Sequence, residues 1–150
     1  MSGKAKKYQR IYAQLEQLFE ATDYLPSRMA TVVAVLHHKM KDFYWTGFYM
    51  LNNGELLVHN YQGPLACQKL KKDLGVCWAS INQEKTLIVD NVHQFDGHIA
   101  CSSLTNSEIV VPFKIDGEII GCLDIDSKQY AHFDEDDAKG LEKILHLIAE

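Results

Sequence analysis

The stretch from Asn91 to Pro112 concentrates side chains that could take part in chemistry. It contains two histidines, a cysteine and two carboxylates, namely His93, Asp96, His98, Cys101 and Glu108. Connections in compact domains usually run about 4–6 residues, and longer ones are usually functional or disordered. The apolar Phe95, Ile99 and Leu104 argue against disorder. Cys101 is therefore a candidate nucleophile, provided that its thiolate is favoured and reachable from water.

A predicted hairpin after this stretch brings further carboxylates. Alternation along residues 118–127 separates the side chains onto two faces. One face holds Ile119, Gly121, Leu123 and Ile125, and the other holds Ile120, Cys122, Asp124 and Asp126. A face with two carboxylates should meet water or a ligand rather than the core.

Aromatic residues of an earlier predicted hairpin could complete a site. Trp45, Gly47 and Tyr49 share one face of its first strand, and Glu108 opens the strand that follows the Cys101 loop. Each feature alone also fits ordinary structure. The Asp-Ile-Asp run could be a solvated edge, the aromatics could be packing, the histidines could order the loop, and Cys122 could be a small apolar core residue. Their joint occurrence on the predicted faces favours a site with aromatic walls, three carboxylates and a cysteine.

The elements that would position these residues follow from periodicity and turn signals. Helices are predicted over 5–21, from an N-cap at Ser27 to about Lys41, over 74–82, and from an N-cap at Asp134 onwards. Strands are predicted over 43–51, 55–62, 86–89, 108–115 and 118–127, with a loop over 65–73. Asn53-Gly54 and Asp116-Gly117 are the dipeptides that tight hairpin turns prefer. Hairpins combined with segregated helices predict the α+β class, with a mostly antiparallel sheet.

Composition narrows the functional class. The 150 residues are 47% hydrophobic and 23% charged, which predicts a single domain over residues 1–150. The net charge of −5 disfavours a general nucleic-acid binder. We expect no membrane span and no secretory signal, hence a cytoplasmic protein. Its four cysteines are then not expected to form static disulfides, and none has C-x-x-C spacing.

Six segments resemble the free methionine-(R)-sulfoxide reductases, which are enzymes built on a GAF domain. In chain order they are WTGFYM (45–50), YQGPLAC (61–67), GVC (75–77), DGHIAC (96–101), NSEIVVP (106–112) and GCLDID (121–126). The resemblance covers residues 27–150, which leaves residues 1–26 as an N-terminal helix and its connection. It implies a central antiparallel sheet flanked by helices. It also implies reduction of the R epimer of the free amino acid methionine sulfoxide, and not of sulfoxide within a protein chain.

The resemblance also implies residue roles. Cys101 would be the nucleophile, Cys67 the resolving cysteine and Cys77 an accessory or second resolving thiol. The substrate pocket would be lined by two aromatic and three acidic residues, Trp45, Tyr49, Glu108, Asp124 and Asp126. Thioredoxin is the implied reductant, no metal or organic cofactor is expected, and a homodimer is possible.

Elementary chemistry supports such a reaction. Carboxylates can hold the ammonium group of the amino acid by charge-assisted hydrogen bonds, and crowding raises their proton affinity so that one stays protonated. A protonated acid beside the sulfoxide oxygen would promote attack by the Cys101 thiolate, while Trp45 packs on the S-methyl group. Methionine would leave Cys101 as a sulfenic acid, and Cys67 would condense with it to a disulfide.

Two departures from the family pattern and two alternatives remain open. Trp78 stands where glycine is common, which could reshape the wall near Cys77, and Cys122 replaces an aliphatic residue and could be an extra thiol in the pocket. A non-catalytic GAF-type sensor of small molecules or redox state is one alternative function. The other is a zinc site formed by Cys67, Cys77, Cys101 and a nearby histidine.

Overall fold

The computed structural model describes residues 1–98 and 104–150. Its helices are α1 (Gly3–Leu18), α2 (Leu25–Lys39), α3 (Gly75–Gln83) and α4 (Glu135–Ala149), with 3-10 turns at Phe19–Ala21 and Val92–Gln94. Its strands are β1 (Trp45–Asn52), β2 (Glu55–Gln62), β3 (Lys69–Leu70), β4 (Leu87–Val89), β5 (Ser107–Ile115) and β6 (Glu118–Ser127). Within the described ranges, no helix has the length and hydropathy of a transmembrane segment.

The six strands form one sheet in the order β3-β2-β1-β6-β5-β4. Every described strand pair is antiparallel, which confirms the α+β prediction. Both predicted hairpins are present. Their central residues have positive φ, 52° and 79° at Asn53-Gly54 and 51° and 80° at Asp116-Gly117. Turns of this kind match the twist of the flanking strands and fix the pairing.

The predicted bounds of α1 and α4 agree with the structure more closely than the predicted start of α2 does. Asp134 caps α4 through its side chain, and Asp137 completes a capping box. The predicted N-cap at Ser27 is wrong, because α2 begins at Leu25 after Tyr24, which makes no side-chain capping bond. Pro26 lies in the first turn of the helix, where its missing N–H leaves no intrahelical bond unmade.

The two faces of the sheet bury separate cores. The larger core packs α1, α2 and α4 against one face and includes Phe48, Phe113 and Leu123. The smaller core lies on the other face, where α3 packs against β5 and β6. The predicted carboxylate face of β6 is on this second side. It is therefore covered by α3 and is not an open, solvated edge.

A β-bulge corrects the predicted faces of Ile119 and Ile120. Phe113 pairs with Gly121, but the next residue, Lys114, pairs with Ile119, so Ile120 is the extra residue. The bulge reverses the alternation. As a result Ile119 packs on the smaller core and Ile120 on the larger one, the opposite of the prediction.

Helix α1 is fixed to α4 by one buried carboxylate. Asp137 accepts a 2.6 Å hydrogen bond from the Tyr8 hydroxyl and a 2.8 Å ionic hydrogen bond from Lys4 Nζ. The Tyr8 ring lies directly over Gly140. A Cβ at that position would come within 2.4 Å of the ring. Gly140 therefore sets how closely the two helices approach.

We predict that Gly140→Ala lowers the free energy of unfolding by about 1–3 kcal/mol, the usual penalty for overpacking. The Tyr8 ring cannot move aside easily, because it is buried and hydrogen-bonded to Asp137. Urea unfolding monitored by circular dichroism measures the change. Gly3→Ala is the matched control, since a Cβ there has nothing within 4 Å. Equal effects of the two substitutions would contradict this account of the helix packing.

Candidate active site

A cavity of ≈ 60 Å³ lies between the second face of the sheet and α3. Six of the eight residues predicted for the site line it, namely Trp45, Tyr49, Cys77, Glu108, Asp124 and Asp126. The remaining wall is formed by Pro64–Ala66, Leu70, Leu74–Val76, His98 and Thr105. Of the other two predicted residues, Cys101 lies outside the described residues, and Cys67 directly follows the wall residue Ala66.

Strand register explains why the three carboxyl groups meet. Glu108 on β5 pairs directly with Asp126 on β6, and Trp45 on β1 pairs with the same aspartate from the other side. Asp124 is two residues from Asp126 and so shares its face. Directly paired residues have Cβ atoms about 4.5–5.5 Å apart. The cluster is therefore a consequence of how β1, β6 and β5 pair.

Burial keeps protons on this cluster. Glu108 and Asp124 are only 7% and 6% exposed, and no lysine or arginine is among the described residues that line the cavity. Burial, followed by the charges of Asp124 and Asp126, raises the pKa of Glu108 well above its usual range. Burial and the charge of Asp124 do the same to the pKa of Asp126. These two groups therefore keep their protons to a higher pH than exposed carboxyl groups do.

Asp124 is the group of the three that ionises most readily. Burial raises its pKa as well, but hydrogen bonds from Glu108, Cys77 and Asp126 favour its anion and act in the opposite direction. The cluster thus combines one preferred anion with two proton donors. An acid and a base held side by side in different environments are what proton transfer requires.

Three buried polar atoms in the cavity wall have no hydrogen-bond partner among the described residues. They are Oδ1 of Asp124, Oδ1 of Asp126 and Oγ1 of Thr105. A buried polar atom left unpaired costs about 1–3 kcal/mol. Such atoms are commonly satisfied by a ligand or an ordered water, which marks this wall as a binding surface.

Stacked aromatic rings lie beside the carboxyl groups on the same face of the sheet. The Trp45 ring stacks on Tyr49 and Tyr61, with centroid distances of 5.7 and 5.2 Å. Gly47 makes this stacking possible, since a Cβ there would lie 2.3 Å from Cβ of Tyr61 and 2.7 Å from the Trp45 ring. The wall also holds the neighbouring loop: Trp45 Nε1 donates to the Pro64 carbonyl at 3.1 Å, and the Tyr49 hydroxyl to the carbonyl of Cys67 at 3.2 Å.

The three described cysteines have different environments. Cys67 is half-buried and disulfide-bonded, whereas Cys77 and Cys122 are free and buried. Contact with the Cys122 thiol, burial and the charge of Asp124 raise the pKa of Cys77. Cys122 has no exposed surface and does not line the cavity, so the structure places it in the smaller core. The predicted nucleophilic role of Cys101, and its pairing with Cys67, stay predictions.

His98 and Thr105 are wall residues that the sequence did not single out as pocket-lining. Burial and the neighbouring His93 lower the pKa of His98, so its ring is neutral near pH 7. His93 has the loop-ordering role considered for it, since its Nε2 lies 2.8 Å from Oδ1 of Asn106. Thr105 lies within the stretch from Asn91 to Pro112 that was predicted to be functional, but nothing distinguished it there.

Trp78 lies in the smaller core and is not part of the cavity wall. Lys72 Nζ lies 4.3 Å from the centre of its ring. The indole Nε1 donates to the carbonyl of Leu70, which does line the cavity. The effect of this bulky residue on the wall near Cys77 stays a prediction.

The metal ligands considered from the sequence do not come together among the described residues. The one described group with ligand atoms close enough to share an ion is Cys77, Glu108 and Asp124, within 4.8 Å of one another. Neither Cys67 nor a histidine belongs to it. Any metal at this position would thus meet one sulfur and two carboxylates.

We predict that Glu108→Gln raises the free energy of unfolding at pH 8 by about 0.5–2 kcal/mol, the range of single stabilising substitutions. Because the folded chain raises the pKa of Glu108, the unfolded chain releases this proton at lower pH. Stability is therefore lost as the pH rises above about 4.3, the ordinary pKa of glutamate. An amide cannot ionise, so the variant avoids that loss.

Urea unfolding at pH 5 and pH 8 tests this prediction. The gain should be larger at pH 8, and the exposed Glu118→Gln is the control for a glutamate outside the cavity. If Glu108→Gln is less stable than the parent at pH 8, the buried carboxyl group of Glu108 stabilises the folded chain at that pH, which contradicts the prediction.

Comparisons with known proteins agree with this geometry. The family model described as GAF domain matches residues 27–150. A free methionine-R-sulfoxide reductase of Escherichia coli is 37% identical over 89% of this chain and 84% of its own length. GAF domain-containing protein A of Dictyostelium discoideum is 44% identical over 97% and 92%. The solved free methionine-R-sulfoxide reductase of Neisseria meningitidis, in complex with its substrate, superposes with a TM-score of 0.93 at 37% identity, over 99% of this chain and 90% of that one.

A GAF fold, buried carboxyl groups beside stacked aromatic rings and matches over nearly the full length lead to one assignment: the chain belongs to the free methionine-R-sulfoxide reductase family of GAF-domain proteins.

Proposed function

We propose that this chain reduces free L-methionine (R)-sulfoxide to L-methionine by thiol chemistry and that thioredoxin restores its dithiol. The observation that carries the proposal is the cavity in which three carboxyl groups, with no described lysine or arginine in the wall, lie beside stacked aromatic rings. That arrangement suits a small ligand with a cationic end and an apolar end. Free methionine sulfoxide has both.

The carboxylate wall accounts for preference for the free amino acid. The ammonium group would bind at the Asp124 anion and the unpartnered oxygens of Asp124 and Asp126. A methionine sulfoxide within a protein chain has an uncharged amide nitrogen at that position. Charge therefore favours the free compound.

The start of α3 is suited to the other charged end of the substrate. Leu74, Gly75 and Val76 line the cavity, and no side chain caps this helix terminus. The first backbone N–H groups of a helix have no intrahelical partner and bind anions readily. We place the substrate carboxylate there, with its S-methyl group on the Trp45 ring.

Glu108 is the proton donor in this proposal. It shares its proton with both aspartates and is the group that burial and two neighbouring charges keep protonated. Donation to the sulfoxide oxygen would make the sulfur more electrophilic. Cys101 would then take up the oxygen and become a sulfenic acid, while the substrate sulfur is reduced to the thioether of methionine.

Cys67 would complete the cycle. Its thiol condenses with the sulfenic acid, releasing water and leaving an intramolecular disulfide. The dithiol of thioredoxin reduces that disulfide and is itself oxidised. The disulfide-bonded state of Cys67 is compatible with a redox role, and its half-buried position beside the cavity leaves it closer to solvent than Cys77.

We expect turnover of the R epimer and none of the S epimer when NADPH, thioredoxin reductase and thioredoxin are supplied. NADPH consumption on each separated epimer measures this. Cys101→Ser should lower the rate by about a hundredfold or more, because a serine hydroxyl cannot take up the oxygen as a thiolate does. The buried Cys122→Ala, outside the cavity wall, is the cysteine control.

Absence of turnover with the R epimer would reject the proposal. Tight binding of the sulfoxide without turnover would favour the small-molecule sensor instead. Near-normal activity of Cys101→Ser would leave the reductase in place and remove Cys101 as its nucleophile.

We predict that Asp124 and Glu108 contribute to different kinetic constants. Asp124→Asn should mainly raise KM, since it removes the anion that holds the ammonium group. Glu108→Gln should mainly lower the single-turnover rate, by about 10²–10⁴-fold, since it removes the proton donor. Substrate titrations in single-turnover mode separate the two effects. The reverse pattern would exchange the two roles.

A further inference from the structure

We propose that the same cavity binds one thiophilic divalent cation, for which Zn²⁺ is the reference, through the sulfur of Cys77 and the carboxylates of Glu108 and Asp124. We further propose that this ion and the amino-acid substrate exclude each other. The first statement is independent of the proposed function. The second rests on it, because it requires the substrate's ammonium group to occupy the carboxylate wall.

The geometry of the three side chains fits a shared ion. Their ligand atoms lie within 4.8 Å of one another, and all three residues are buried. Zn–S and Zn–O bonds of about 2.0–2.3 Å place neighbouring ligand atoms of a tetrahedral site roughly 3.5 Å apart. Small side-chain rotations would be sufficient to close the site. The ligands come from α3, β5 and β6, which are packed against one another.

A second, independent observation points to a ligand at this position. Oδ1 of Asp124 is buried, lies in the cavity wall and has no hydrogen-bond partner among the described residues. Oδ1 of the adjacent Asp126 and the hydroxyl of Thr105 are in the same situation. The carboxyl groups hydrogen-bond to one another, but these acceptor atoms are left over and could be satisfied by a cation in the cavity.

The donor set selects the kind of cation. One thiolate with two carboxylates suits Zn²⁺ or Co²⁺, whereas Mg²⁺ and Ca²⁺ take oxygen ligands. Water could supply a fourth ligand, as it does in zinc sites with three protein ligands. No described lysine or arginine lines the cavity, so no such side chain among the described residues would compete with a divalent ion for these carboxylates.

Competition follows from the shared carboxylates. The ammonium group proposed for the substrate would bind at Asp124, which is also a ligand in the metal site. A cation in that place would remove the anion and hold Glu108 in its ionised form, without the proton that it is proposed to donate. The ion would therefore act as a reversible inhibitor.

Equilibrium dialysis of the fully reduced chain against Zn²⁺ tests the site without any measurement of turnover. We expect one tightly bound ion per chain, with an affinity at least tenfold lower in Cys77→Ser. Cys67→Ser is the matched cysteine control and should bind as the parent does. Co²⁺ supplies a spectroscopic check, because a sulfur-to-cobalt charge-transfer band should appear in the parent and be absent in Cys77→Ser.

Three results would overturn the metal site. They are the absence of a stoichiometrically bound ion, binding that persists in Cys77→Ser, and binding that is lost in Cys67→Ser.

Dialysis with added methionine (R)-sulfoxide tests whether the ion and the substrate exclude each other, and Cys101→Ser is used to prevent turnover. The apparent Zn²⁺ affinity should fall in proportion to the sulfoxide concentration. An apparent Zn²⁺ affinity that does not change with the sulfoxide concentration would overturn the proposal that the two ligands exclude each other. Turnover without any Zn²⁺ site would leave the proposed function intact.

Discussion

Three carboxyl groups share one buried cavity without a described lysine or arginine beside them, and the properties of the site depend on this constraint. Burial opposes their ionisation, and each anion opposes the next. The cluster therefore resolves into a preferred anion at Asp124 and retained protons on Glu108 and Asp126. One structural arrangement thus supplies both a cation-binding group and an acid.

Much of the fold and of the site could be predicted because local signals and long-range pairing agree. Asn53-Gly54 and Asp116-Gly117 fixed two hairpins, and alternation then placed Trp45, Tyr49, Asp124 and Asp126 on one side of the sheet. The predictions that were wrong concerned features that depend on contacts between residues distant in sequence. The bulge at Ile120 depends on pairing with β5, and enclosure of the carboxylates depends on how α3 packs over them.

The N-cap wrongly predicted at Ser27 and the failure to predict Thr105 in the cavity wall have other causes. Ser27 has the side chain of a good cap, but Pro26 fits within a first helical turn and allows α2 to begin earlier. Thr105 is a common loop residue whose importance lies only in its buried, unpartnered hydroxyl. No property of the isolated sequence reports which loop hydroxyl will face a cavity.

The cysteines show how position along an element determines chemistry. Cys122 lies within a central strand and is fully buried, so it acts as a core side chain. Cys77, on the helix above it, meets Asp124 and Glu108 and has a raised pKa, which disfavours a free thiolate there. A raised pKa weakens a thiol as a nucleophile, but a metal ion can displace its proton. The raised pKa is thus compatible with the metal ligation proposed for Cys77, while its role as a second resolving thiol stays a prediction.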